Sequence, residues 1–105
     1  KSPKSRRSSA LELGRHLVEE RLVACVNVIE PMTSLYWWDG KVQEDGEAVL
    51  IAKTRADLMP LLVEHVKAQH PYDCPCVVST RIVAGSDDYL EWVRAETRAA
   101  DRPHS

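Results

Sequence analysis

A chain of 105 residues has room for one small domain, which buries roughly 60 to 70% of the surface its unfolded form exposes. Its 14 basic and 16 acidic side chains leave a formal net charge of −2, so no overall field recruits nucleic acid or an anionic membrane. No apolar run reaches the length of a membrane span or a signal peptide, and three cysteines, an odd number, make no disulfide framework; a soluble protein of a reducing compartment, most simply the cytoplasm, is expected.

The chain opens on KSPKSRRSSA, with four basic groups, four serines and no acid, and residues 1–8 read as a basic, disordered tail. Ser9 with Glu12 three positions on is a capping-box pattern. It predicts a first helix from about Ala10 to Leu22, with Ala10, Leu13, Leu17, Val18 and Leu22 along one side and Glu12, Arg15, Glu19 and Glu20 on the other. Gly14 weakens that helix, unless its missing side chain permits close packing on a sheet.

The stretch Val23–Thr54 organises the rest. Val23, Cys25, Asn27 and Ile29 alternate with Ala24, Val26 and Val28, and Leu35, Tyr36, Trp37 and Trp38 form an aromatic-rich run; both suit a half-buried pleated surface. Asp39-Gly40 supplies the positive φ angles of a two-residue hairpin loop. Pro31, which has no donor for a ladder, predicts a bend or bulge between Glu30 and Met32. The return arm ends in the apolar Ala48–Ala52, Lys53 and Thr54.

Asp57 is placed to cap a second helix, with Pro60 in its first turn, Leu58, Leu61, Leu62 and Val66 as its buried stripe, and Pro71 as its stop. Cys76–Val83 is β-branched and reads as a further strand between Pro75 and Gly85. Ser86 caps a last helix from Asp87 to about Ala99, with Tyr89, Leu90 and Val93 inward. The order helix, strand, strand, helix, strand, helix is that of an α+β, βαββαβ unit without its first strand, with the domain at 9–99 and a tail at 100–105.

The segments VEERLVACVNVIEPMTSLYWWDGK, AVLIAKT, HPYDCP and DYLEWV resemble, in order and spacing from about Leu11 to Arg98, the CutA family of divalent-cation tolerance proteins. The resemblance implies a ferredoxin-like sandwich, here with a long bent hairpin and an extra C-terminal helix. It also implies a homotrimer whose subunits extend one another's sheets, as in PII-type signalling proteins. Family members carry a strand before the first helix, and KSPKSRRSSA has no strand pattern. The sheet is therefore expected to lack that strand, leaving Cys76–Val83 without its main neighbour.

Among residues with chemistry, His70, Cys74 and Cys76 form an H-x3-C-x-C cluster whose imidazole and thiolates would suit Cu(I) or Zn²⁺. The plainer reading has His70 closing a helix C-terminus and the cysteines as small packing residues. The family's copper ligands are a first-strand cysteine and a histidine at or just before the HPY motif. Only His70 carries over, with Gln69 standing where a second histidine can occur. The resemblance also places Lys53, Trp38 and Tyr72 near clefts between subunits, where an ammonium beside aromatic rings favours an anion or a small polar metabolite. The plainer role for Lys53 is pairing with an acid across the trimer interface. Cys25 reads as a packing residue, and His16 and His65 as ordinary helix residues.

No nucleophile, base and acid fall into a recognisable local pattern, so the expected protein is not an enzyme. It is a CutA-like trimer in divalent-cation (copper) tolerance or response, with a metal ion or small ligand in its clefts. The alternatives are a ligand-free trimeric scaffold or PII-like partner-binding module, and a small hydrolase by fold analogy with acylphosphatases. The hydrolase would need an anion-cradling loop after the first strand.

Overall fold

The computed structural model describes residues 6–69 and 76–99. Helix α1 spans Arg6–Glu19. It starts four residues before the expected Ala10, so Ser9 lies inside the helix rather than capping it; arginine is a good helix former, and Arg6 and Arg7 extend the first turns backward. Its far end also differs from the expected Leu22. Arg21 takes a left-handed φ of 59°, Leu22 N–H bonds the Leu17 carbonyl at 3.0 Å and Arg21 N–H the Val18 carbonyl at 3.0 Å. That is a Schellman closure, and the apolar contact that accompanies it is made by Leu17 and Leu22, both buried.

Strand β1 (Cys25–Trp38) and strand β2 (Lys41–Lys53) form the hairpin, an antiparallel pair running from Cys25 opposite Lys53 to Trp38 opposite Lys41. Asp39 (φ 56°) and Gly40 (φ 74°) make the two-residue turn, the geometry whose twist matches that of the strands. The register shifts between Ile29 and Met32. Glu30 and Pro31 there stand opposite Ala48 alone, a bulge where the sequence places one.

A 3₁₀ turn at Ala56–Leu58 leads into helix α2 (Met59–Gln69). Asp57 does not cap that helix as expected; its carboxylate is taken by the Arg55 guanidinium, at 3.0 and 2.8 Å. Pro60 sits in the first turn of α2, where no intrahelical donor is lost. The core lies between these helices and one face of the hairpin: Leu13, Leu17, Leu22, Val23, Leu58, Leu62 and Val66 are buried, with Val26, Leu50 and Ala52 packed against them. Gly14 makes the close approach possible, since a Cβ there would stand 2.9 Å from Val26 Cγ2.

Residues 76–86 form neither helix nor strand, which corrects the strand expected at Cys76–Val83. The sheet of the described residues has two strands. A strand exists only as part of a ladder, and β-branched composition without a paired neighbour does not make one. Val78 and Val83 accordingly stand 79% and 93% exposed. Helix α3 (Asp87–Glu96) follows. Ser86 caps it as expected, accepting from Tyr89 N–H at 3.4 Å. It ends at Glu96 because Thr97 turns its hydroxyl back onto the Val93 carbonyl at 2.9 Å. Val93 is buried, while Tyr89, expected inward, is exposed.

Candidate functional site

The two ends of the hairpin carry different chemistry. At the open end, Lys53 faces Cys25 across the last rung, and its ammonium donates to the side-chain oxygen of Asn27 on the same strand face. That face is opposite the one on which Val26, Leu50 and Ala52 meet the core. Lys53 is half-buried, so this bond offsets part of its lost hydration. Cys25 is half-buried, its sulfur 4.0 Å from the Tyr89 hydroxyl. The Tyr89 hydroxyl is pushed above the ordinary phenol range, first by loss of water and then by the Cys25 sulfur.

At the turn end, Leu35, Trp37 and Trp38 are 68%, 74% and 60% exposed, with Val42 beside them. Trp38 and Lys53 stand at opposite ends of the same ladder, about 40 Å apart at the rise of a β-strand. One chain therefore does not bring these two together. Of the other sequence-derived candidates, His70, Tyr72 and Cys74 lie outside the described residues, and Cys76 is exposed with a free thiol. Among the described residues no three His, Cys, Asp or Glu side chains converge as a metal-holding group.

Two arrangements escape sequence reasoning. The first is a polar clasp that fastens the end of α3 to the end of α1. Arg98 N–H bonds the Arg21 carbonyl at 2.8 Å, Arg21 pairs with Glu96 at 2.9 Å, and Arg98 lies 3.9 Å from Glu20. Arg55, while held by Asp57, also donates to the Arg98 carbonyl at 2.7 Å. The paired ions move each other in the usual way: Arg55 is raised above its ordinary value chiefly by the Asp57 hydrogen bond, and Asp57 is lowered by the same bond. Beside the clasp, Val18, Val23, Ala24 and Trp92 help line an open cleft of about 220 Å³. The second arrangement is a pair of imidazoles from α1 and α2, His16 and His65, 2.9 Å apart. Each follows a buried position by three, Leu13 and Leu62, a spacing that marks the edge of a packed helix face. Their meeting joins residues 49 apart in sequence and has no local signal.

The model of the CutA1 divalent ion tolerance protein family matches residues 3–96. The chain belongs to that family. The chloroplastic CutA protein of Arabidopsis thaliana is 48% identical over 92 residues, covering 88% of this chain and 50% of the plant protein. A solved divalent cation tolerance protein from Thermus thermophilus superposes with a TM-score of 0.83 at 45% identity, covering 87% of this chain and 88% of that one. CutA1 from Oryza sativa superposes with a TM-score of 0.85 at 45% identity, covering 89% of this chain and 85% of that one. The chain spans about half the length of the curated plant and mammalian family members it matches. Among the described residues no helix is long and apolar enough to cross a membrane.

Proposed function

We propose that this family member works as a homotrimer, without enzymatic activity, in divalent-cation tolerance or response, and that its intersubunit clefts take a metal ion or a small anionic or polar ligand. The observation that carries this reading is the bare apolar end of the hairpin. Leu35, Trp37 and Val42 make an exposed apolar strip on one face of a two-stranded ribbon, and Trp38 stands exposed on the other, apolar surface of the kind a partner subunit covers. Trp is also favoured at seams between subunits. Assembly supports a second step. Trp38 and Lys53 are separated along one ribbon, and a neighbouring subunit is what would bring a tryptophan to the lysine end, with Tyr72 and His70 as further candidates there. Cys76, with Cys74, adds thiolates suited to copper or zinc. Free thiols at Cys25 and Cys76 favour a reducing compartment such as the cytoplasm.

A ligand-free scaffold or PII-like partner-binding module is favoured by one feature: Lys53 already has Asn27 as its partner and needs no ligand to satisfy it. Light scattering of the full chain, with and without Cu²⁺ or Zn²⁺, tests the assembly. A trimeric mass independent of metal is expected, and Trp38→Ala lowers it. A monomeric mass in both conditions, or an unchanged mass for the variant, overturns the interface. Calorimetric titration then separates the two readings, because a component of the metal signal lost in His70→Ala supports the ligand site, and a metal response that His70→Ala leaves unchanged supports the scaffold.

A further inference from the structure

His16 on α1 and His65 on α2 meet head-on, His16 Nε2 lying 2.9 Å from His65 Nδ1, with ring centroids 5.1 Å apart and planes tilted by 32°. Both rings are half-buried at the margin of the packed helices, so their backbones are fixed while one side stays open to water. Two neutral imidazoles in this geometry share one hydrogen, one nitrogen donating and the other accepting. We propose that the pair is a two-histidine site for a late first-row divalent cation, with Zn²⁺ as its reference ion, that clamps α1 to α2.

The spacing carries the argument. With Zn–N bonds of about 2.0–2.1 Å, two imidazoles on a tetrahedral ion have ring centroids about 5.2 Å apart and nitrogens about 3.3 Å apart. The ring centres already stand at that distance, so side-chain rotations that open the nitrogens from 2.9 to about 3.3 Å would aim both lone pairs at one point. The proton between the rings passes to the outer nitrogen of its own ring. Two neutral imidazoles then present two free lone pairs, and no proton is lost from the pair. Water fills the remaining positions on the open side. Nitrogen donors of this kind rank the divalent ions with Cu²⁺ above Ni²⁺ and Zn²⁺. The site is separate from His70, Cys74 and Cys76, and it exists within one protomer whatever the state of assembly.

The test is a Zn²⁺ titration of the full chain at neutral pH, following the ring carbon-bound protons of each histidine by NMR. The His16 and His65 signals are expected to shift together along one binding curve. Losing even a hydrogen-bond partner of a metal ligand costs about 10- to 100-fold in affinity, so losing a ligand weakens the site by at least about tenfold. His16→Gln keeps an amide able to bond His65 and so preserves the contact between the helices, and in that variant the His65 shift is expected to weaken by this much. His70→Ala combined with Cys76→Ser is expected to leave both signals responding as before. Rings at 16 and 65 that stay still under millimolar Zn²⁺ overturn the site, as does an unchanged His65 curve in His16→Gln. A shift abolished by His70→Ala with Cys76→Ser also overturns it, by locating the ion elsewhere.

Discussion

Gly14 shows how one missing side chain sets a helix-to-sheet distance. In a helix interior, alanine is favoured over glycine by about 1 kcal/mol, and on propensity alone Gly14→Ala stabilises the protein. The contact reverses the sign. A Cβ would sit 2.9 Å from a methyl of Val26, a β-branched residue with little freedom to turn away, and overpacking of this kind costs about 1–3 kcal/mol. Gly14→Ala is therefore expected to lose about 1 kcal/mol net by urea unfolding, and Val26→Ala in the same chain to recover part of it. Sequence reasoning places glycine's use here correctly. It does not find the stop of α1, because the left-handed residue that ends the helix is Arg21 and not the glycine that usually marks such an end.

At the scale of elements, the parts that were legible are those fixed by neighbours in sequence. Asp39-Gly40 defines a turn within two residues, Pro31 defines its own bulge, and Ser86 caps the helix that begins beside it. Lys53 is visible as the charged end of an apolar strand, but its partner Asn27 follows only once the strand register is known. The clasp on α3 is invisible for the same reason, since it unites groups from three distant segments. It rests most on Arg55, which binds both carboxylate oxygens of Asp57 and the Arg98 carbonyl while its side chain is 22% exposed. Hydrogen bonds from a charged donor contribute about 1.5–3 kcal/mol each where water is excluded, and less at partial exposure. Arg55→Ala is expected to cost about 1–2 kcal/mol and to raise amide exchange in α3 before the hairpin is affected. Arg55→Lys is expected to restore little, because an ammonium lacks the planar fork that reaches a carboxylate and a carbonyl together. Equal exchange in α3 for Arg55→Ala and the parent chain would show that Val93 alone seats the helix.

For the whole molecule, the decisive contrast is between the hairpin and residues 76–83, two stretches of similar composition with different fates. Each β1 residue has a β2 residue opposite it, apart from the bulge, and the ladder forms. The later stretch has Val77, Val78, Ile82 and Val83 but no described strand beside it; Val77 packs against the core, while Val78, Ile82 and Val83 stand in water. Strand propensity thus measures fitness for a pleated surface, while the surface itself must come from elsewhere in the fold or assembly. Amide exchange resolved by segment tests this directly. In dilute protein, 76–83 is expected to exchange at nearly the rate of unfolded chain, while Val26–Ile29 and Val49–Ala52, on the part of the ladder that packs against the core, exchange slowest. If raising the concentration assembles subunits whose sheets extend one another, protection should appear in 76–83 together with the increase in mass, since a new ladder neighbour is what those backbone groups lack. Strong protection of 76–83 in a protein of monomeric mass would mean that this segment pairs within its own chain, and the exposed valines would then need another explanation.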